Sequence, residues 1–174
     1  MDTENELINA AWKRVTAASP AEDDFFGNVG SPADPDIGGG ETCDTAGHLR
    51  EFIRDELADA KCYAKLFTKT CSKKAKSVFR AIAADEKRHA RLLQAELFIL
   101  TGDIYCPPAL ECSCASLPGA LRGRYLSERR GSESYHAAAN CVGEGRIASL
   151  LHELADDEAR HAEMLLELIV CMMA

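Results

Sequence analysis

Eight cysteines occur in the 174 residues, yet there is no CxxC pair among them. Their spacing gives no metal-binding framework. The chain is also too long, and too helical in pattern, for a disulfide-stapled secreted module. Mostly reduced thiols are expected, with Cys106, Cys112 and Cys114 close enough in sequence to form a second metal or redox site. Positive charge is short too: 20 Lys and Arg face 28 Asp and Glu, a net charge of −8. That argues against nucleic acid or an anionic membrane as the main partner. No run approaches the roughly 20 apolar residues of a membrane span. The opening MDTENELINA is acidic and polar, unlike a secretory leader, so a cytoplasmic location is the expectation. No convincing strand pattern is present either.

What the chain does have is apolar content, 47% hydrophobic residues, and helical periodicity. Residues 2–17 read as a short amphipathic helix carrying Leu7, Ile8, Ala11, Trp12 and Val15 on one side. Residues 19–42 are rich in Gly, Pro and Asp and read as a linker or lid. The chain thus divides into an N-terminal segment, 1–43, and a helical domain, 44–174. Four helices are expected in the latter. The first is capped by Asp44 or Thr45 and runs to about residue 70; the others span about 72–101, 118–141 and 144–173. Gly102 suits the end of the second. The second and fourth carry heptads. Ala75, Ile82, His89 and Glu96 form one column and Phe79, Glu86, Leu93 and Leu100 another. Ile147, Leu154, His161 and Leu168, and Leu151, Glu158, Leu165 and Met172, do the same later. These are packing stripes of a four-helix bundle, interrupted in mid-helix by Glu and His.

The interruption is duplicated. Residues 82–93, IAADEKRHARLL, and 154–165, LADDEARHAEML, agree at seven of twelve positions, 72 residues apart. The same offset maps Glu56 onto Glu128 and Tyr63 onto Tyr135. Two complete copies in register mark two related helical hairpins. Residues 102–118 join them and can extend about 55–60 Å. A helix of about 28 residues is only about 42 Å long, so a crossover along the full bundle is feasible. The hairpins then stand in pseudo-two-fold relation with their polar groups facing.

Six side chains converge in that arrangement: Glu56, Glu86, His89, Glu128, Glu158 and His161. Burying one unpaired carboxylate costs several kcal/mol, and four together need protons or cations. Two divalent ions would neutralise four carboxylates. Positions i and i+3 share a helix face, so each Glu-x-x-His presents an oxygen and a nitrogen to one ion. Glu56 and Glu128 can ligate or bridge. Oxygen and imidazole donors suit iron or manganese. Tyr63 and Tyr135 lie on the same face, as hydrogen-bond donors to a ligand carboxylate or as plain core aromatics. Arg88 and Arg160 either neutralise nearby aspartates or face water. His48, His136 and His152 read as surface or structural, Cys62 as core, and Glu96 as solvent-accessible near a helix end.

ADEKRHA and DDEARHA, with Glu56 and Glu128, make residues 44–174 resemble the ferritin-like superfamily, within it the rubrerythrin and bacterioferritin group. The resemblance implies an all-α ferritin-like four-helix bundle, two iron ions in a carboxylate-bridged centre, and reaction with dioxygen or peroxide as a peroxidase or ferroxidase. It implies that Asp85 and Asp157 hold the ligand histidines by their free nitrogens, and frequent homo-oligomerisation. Iron storage or delivery, or a metal-free structural bundle, are the competing functions. Rubrerythrins carry a further glutamate where this chain has Gly131, and a rubredoxin domain with paired CxxC motifs that this sequence lacks. An electron donor must therefore come from elsewhere.

Overall fold

A computed structural model describes residues 43–108 and 116–173. The expected helix at 2–17, the linker at 19–42, Cys112 and Cys114 lie outside the described residues. Four helices are present: α1 (Thr45–Lys69), α2 (Lys73–Thr101), α3 (Leu117–Val142) and α4 (Arg146–Met173). Their bounds fall within two residues of those read from sequence, because local chemistry sets them. Asp44 caps α1 by accepting from the Gly47 N–H at 2.8 Å. Ser72 and Ser116 do the same for α2 and α3. Gly102, at φ 77°, ends α2 by donating its N–H to Phe98 O at 2.8 Å. The link between α3 and α4 uses Gly143 and Gly145 at φ 82° and 135°, values that strain any side-chain-bearing residue.

α1 packs on α2 and α3 on α4 as two hairpins. Helices α2 and α4 run antiparallel, since Glu96 near the end of α2 meets Arg146 at the start of α4, 2.8 Å apart. At the opposite end Lys74 Nζ lies 3.3 Å from Cys171 Sγ. The α3–α4 link is short, so α3 runs parallel to α2. The connection between α2 and α3 must therefore traverse the bundle. The structure is an all-α four-helix bundle of two hairpins joined by a long crossover.

The apolar core is in two parts. Leu49, Ile53, Leu93, Leu97, Leu151 and Leu154 pack at one end. Tyr63, Leu66, Phe79, Ile82, Leu121 and Leu165 pack at the other. A layer of Glu and His separates them. Each fully buried Leu, Ile or Phe contributes roughly 1.5–3 kcal/mol, so two apolar plugs offset the cost of the polar layer. No helix among the described residues is long and apolar enough to cross a membrane.

Three expectations need correction. Glu96 is not solvent-accessible: it is 7% exposed and takes its counter-charge from Arg146, a contact between helix ends that no single-helix pattern reveals. Leu100 and Met172, at the ends of their heptad columns, are about half exposed, because they lie beyond Leu97 and Leu168, the last residues of their helices in the buried clusters. Nor are the described thiols mostly reduced: three of the six, Cys71, Cys106 and Cys171, are free, and three are disulfide-bonded. Cys43 and Cys141 form a disulfide with Cα atoms 5.7 Å apart, and Cys62, read as core, is disulfide-bonded as well. The first bridge joins positions 98 residues apart, which sequence spacing does not disclose.

Candidate metal centre

All six candidate ligands come together in the layer between the two apolar clusters. Glu56, Glu86, Glu128 and Glu158 are each at most 5% exposed, and His89 and His161 are fully buried. Each comes from the middle of its helix, where the apolar stripe is interrupted. Their donor atoms form two overlapping groups: Glu56, Glu86, His89 and Glu158, and Glu86, Glu128, Glu158 and His161. Glu86 and Glu158 belong to both. Glu56 and Glu128 each belong to one group only.

The two hairpins brace each other crosswise. Tyr63 on α1 donates to Glu128 Oε1 on α3, and Tyr135 on α3 donates to Glu56 Oε1 on α1. Asp157 on α4 lies 3.1 Å from His89 Nε2, and Asp85 on α2 lies 3.3 Å from His161 Nε2. The aspartates are in turn held by arginines. Arg88 donates to Asp157, and Arg160 reaches Asp85 at 3.0 Å and Asp157 at 2.8 Å. Arg88 and Arg160 therefore neutralise the aspartates rather than simply facing water. Both histidines use Nε2 outward, leaving Nδ1 directed into the centre.

The inner atoms test whether metal ions fit. Glu56 Oε2, Glu86 Oε1, His89 Nδ1, Glu128 Oε2, Glu158 Oε1 and His161 Nδ1 are all buried without a hydrogen-bond partner. His89 Nδ1 stands 3.3 Å from both Glu56 Oε2 and Glu158 Oε1, and His161 Nδ1 stands 3.3 Å from Glu86 Oε1, but none of these contacts has hydrogen-bond geometry. Buried polar atoms in proteins are almost always partnered. Six orphans converging on one volume, all oxygen or imidazole nitrogen, are compatible with bound metal ions.

Electrostatics agree. Burial pushes the Glu158 carboxyl up to about 10 and Glu56 well above the usual range. Burial alone would lower the imidazoles, but the carboxylates of Glu158, Glu56 and Glu86 override it at His89 and push it up to about 12. Glu128 and Glu86 do the same at His161, to about 10. Without other cations the cluster therefore holds protons as its counter-charge. Outside it, Arg160 and His89 outweigh partial burial to hold Asp157 down at about 2.

Two neighbours escaped sequence analysis. Arg124 and Asp59 form a bidentate ion pair between α3 and α1. Arg124 also lies 3.5 Å from Glu128 Oε1 and over the Tyr63 ring. Under the 72-residue offset these positions correspond to Phe52 and Gly131, but only five of the 25 residues of α1 recur in α3 at that offset, so the difference gave no signal. Of the remaining histidines, His136 and His152 face each other at the surface with Nδ1 atoms 3.1 Å apart. His48 Nδ1 lies 3.9 Å from Cys43 Sγ.

No curated protein shows significant similarity to the chain. A family model described as a ferritin-like domain matches residues 15–170. That match covers α1 to α3, α4 as far as residue 170, and all six converging side chains, and the chain belongs to the ferritin-like domain family.

Proposed function

We propose that this protein is a di-iron carboxylate protein that handles dioxygen or peroxide, as a peroxidase or a ferroxidase. The observation that supports this reading is the set of six unpartnered donor atoms in the buried layer. Glu56, Glu86, His89 and Glu158 would hold one ion, and Glu86, Glu128, Glu158 and His161 the other. When bound, such a pair supplies Lewis acidity and electrons for reducing dioxygen or peroxide. Manganese suits the same donors.

The chain's own residues prepare the site. Asp157 and Asp85 fix each imidazole so that Nδ1 points inward. Tyr135 and Tyr63 each occupy one oxygen of Glu56 and Glu128, leaving the other oxygen free. The two apolar clusters above and below exclude water. Gly131 leaves out the further glutamate of rubrerythrins, so the rubrerythrin type of peroxide cycle is not part of the proposal. Electrons would come from an external donor. The disulfides at Cys43, Cys141 and Cys62 suit an oxidising compartment, so a cytoplasmic setting would require those thiols to be reduced.

The test is anaerobic loading with Fe(II), then exposure to air or peroxide. A near-ultraviolet charge-transfer band with consumption of the oxidant is expected. Iron that is taken up but inert to both oxidants would refute the redox reading. A large hollow assembly in light scattering would shift it to storage.

A further inference from the structure

The 72-residue repeat makes the two sides of the centre comparable, and they are not alike. On one side, Asp59 and Arg124 close on each other in a bidentate ion pair between α1 and α3, most of both side chains being buried. Arg124 covers the Tyr63 ring and approaches Glu128. Under the offset, the image of this pair is Gly131 and Phe52. There is no ion pair there. Phe52 stacks on Tyr135 with ring centroids 4.2 Å apart. Gly131 lets Glu158 come close to the α3 backbone: a Cβ at that position would lie 3.3 Å from Glu158 Oε2, tighter than side chains ordinarily pack.

A cavity of about 690 Å³ occupies this second side, bounded by Phe52, Glu56, Gly131, Tyr135 and Glu158. It extends along the groove between α1 and α3 and reaches Asp59, whose carboxylate is closed on Arg124. Of the six converging side chains, the cavity is lined by Glu56, which belongs only to the group that contains His89, and by Glu158, which belongs to both; Glu128, the counterpart of Glu56 in the other group, does not line it. Its outer wall carries Glu51 and Asp55 against Arg130, a balance that disfavours anions.

Resting on the two-ion reading above, we infer that the centre is open to external ligands on one side only. Small uncharged molecules of the peroxide and dioxygen class reach it through the Phe52–Gly131 cavity, at the ion held by Glu56 and His89. The Asp59–Arg124 pair seals the ion held by Glu128 and His161. The two halves of the repeat thus have different tasks, one binding the small molecule and the other holding the second ion.

Nitric oxide is a suitable probe, being small, uncharged and a ligand of Fe(II) with a distinctive electron paramagnetic resonance signal. Elemental analysis is run on every sample, so that iron content and ligand access are separate readouts. The full chain loaded with two Fe(II) should bind one nitric oxide per centre. Gly131→Leu, whose added side chain crowds Glu158, should lose nitric oxide affinity at least tenfold for the iron it retains. Asp59→Gly with Arg124→Phe, which copies the open side onto the sealed one, should raise the stoichiometry toward two. Wild-type protein binding two nitric oxides, or none, would overturn the inference, as would Gly131→Leu binding like wild type. If Gly131→Leu does not fold or does not hold iron, the wild-type stoichiometry and the double variant decide it. Failure to take up iron at all overturns the two-ion reading, and this inference falls with it.

Discussion

Each histidine of the centre is gripped from outside by an aspartate of the opposite hairpin, so a single acidic residue controls both ring orientation and tautomer. Asp157→Asn removes the charge that holds His89 Nε2 while keeping the volume. It should weaken metal binding roughly 10–100-fold, read by competition with a chromophoric chelator, with helix content unchanged by circular dichroism. Protonation makes a second prediction. His89, His161, Glu56 and Glu158 all have raised affinity for protons in the metal-free protein. Ligation needs neutral imidazole and ionised carboxylate, so ions must displace those protons. Apparent metal affinity should therefore rise with pH between about 6 and 9. Calorimetry in buffers of different ionisation enthalpy should detect proton release, and pH-independent affinity would contradict the picture. At this scale the convergence of the six side chains was legible in the sequence, because a doubled Glu-x-x-His on apolar stripes stands out. Their bracing was half legible. Asp85 and Asp157 were singled out, but that each serves the other hairpin's histidine follows only from packing.

The helices carry two kinds of residue along one stripe: apolar side chains at both ends and a buried Glu and His layer in the middle. Leu154 sits in the cluster at one end, 1% exposed, one turn from Glu158. Leu154→Ala should cost roughly 2–5 kcal/mol of stability, seen as a lowered thermal midpoint. Metal stoichiometry should persist below that midpoint, because the ligand layer is separately braced. Helix number, order and ends were readable from periodicity and from the caps at Asp44 and Gly102, which act locally. Glu96 was misread because its partner, Arg146, begins a different helix. Arg124 and Asp59 were missed for a related reason. Each looks like an ordinary surface charge on its own helix, and only the α1–α3 packing joins them.

At the scale of the whole molecule, the disulfide between Cys43 and Cys141 ties the start of α1 to the end of α3 across 98 residues. Cross-links over such long loops typically add roughly 2–4 kcal/mol by restricting the unfolded chain. Cys43→Ser with Cys141→Ser should lower stability by that order in denaturant titration, and should leave metal content unchanged, since neither sulfur belongs to the central layer. The crossover between hairpins was inferable from its length, and the pseudo-two-fold arrangement from the repeat. The disulfides were not, because spatial neighbours 98 residues apart leave no local trace. The central claim is that the buried layer is a two-ion site, and metal stoichiometry tests it most directly. The chain is saturated with Fe(II) without oxygen, desalted, and assayed for iron per folded chain. Two irons are expected for the wild type, with most of that lost in His89→Ala with His161→Ala. A folded wild-type chain without iron, or a double variant that keeps both irons, would contradict the account.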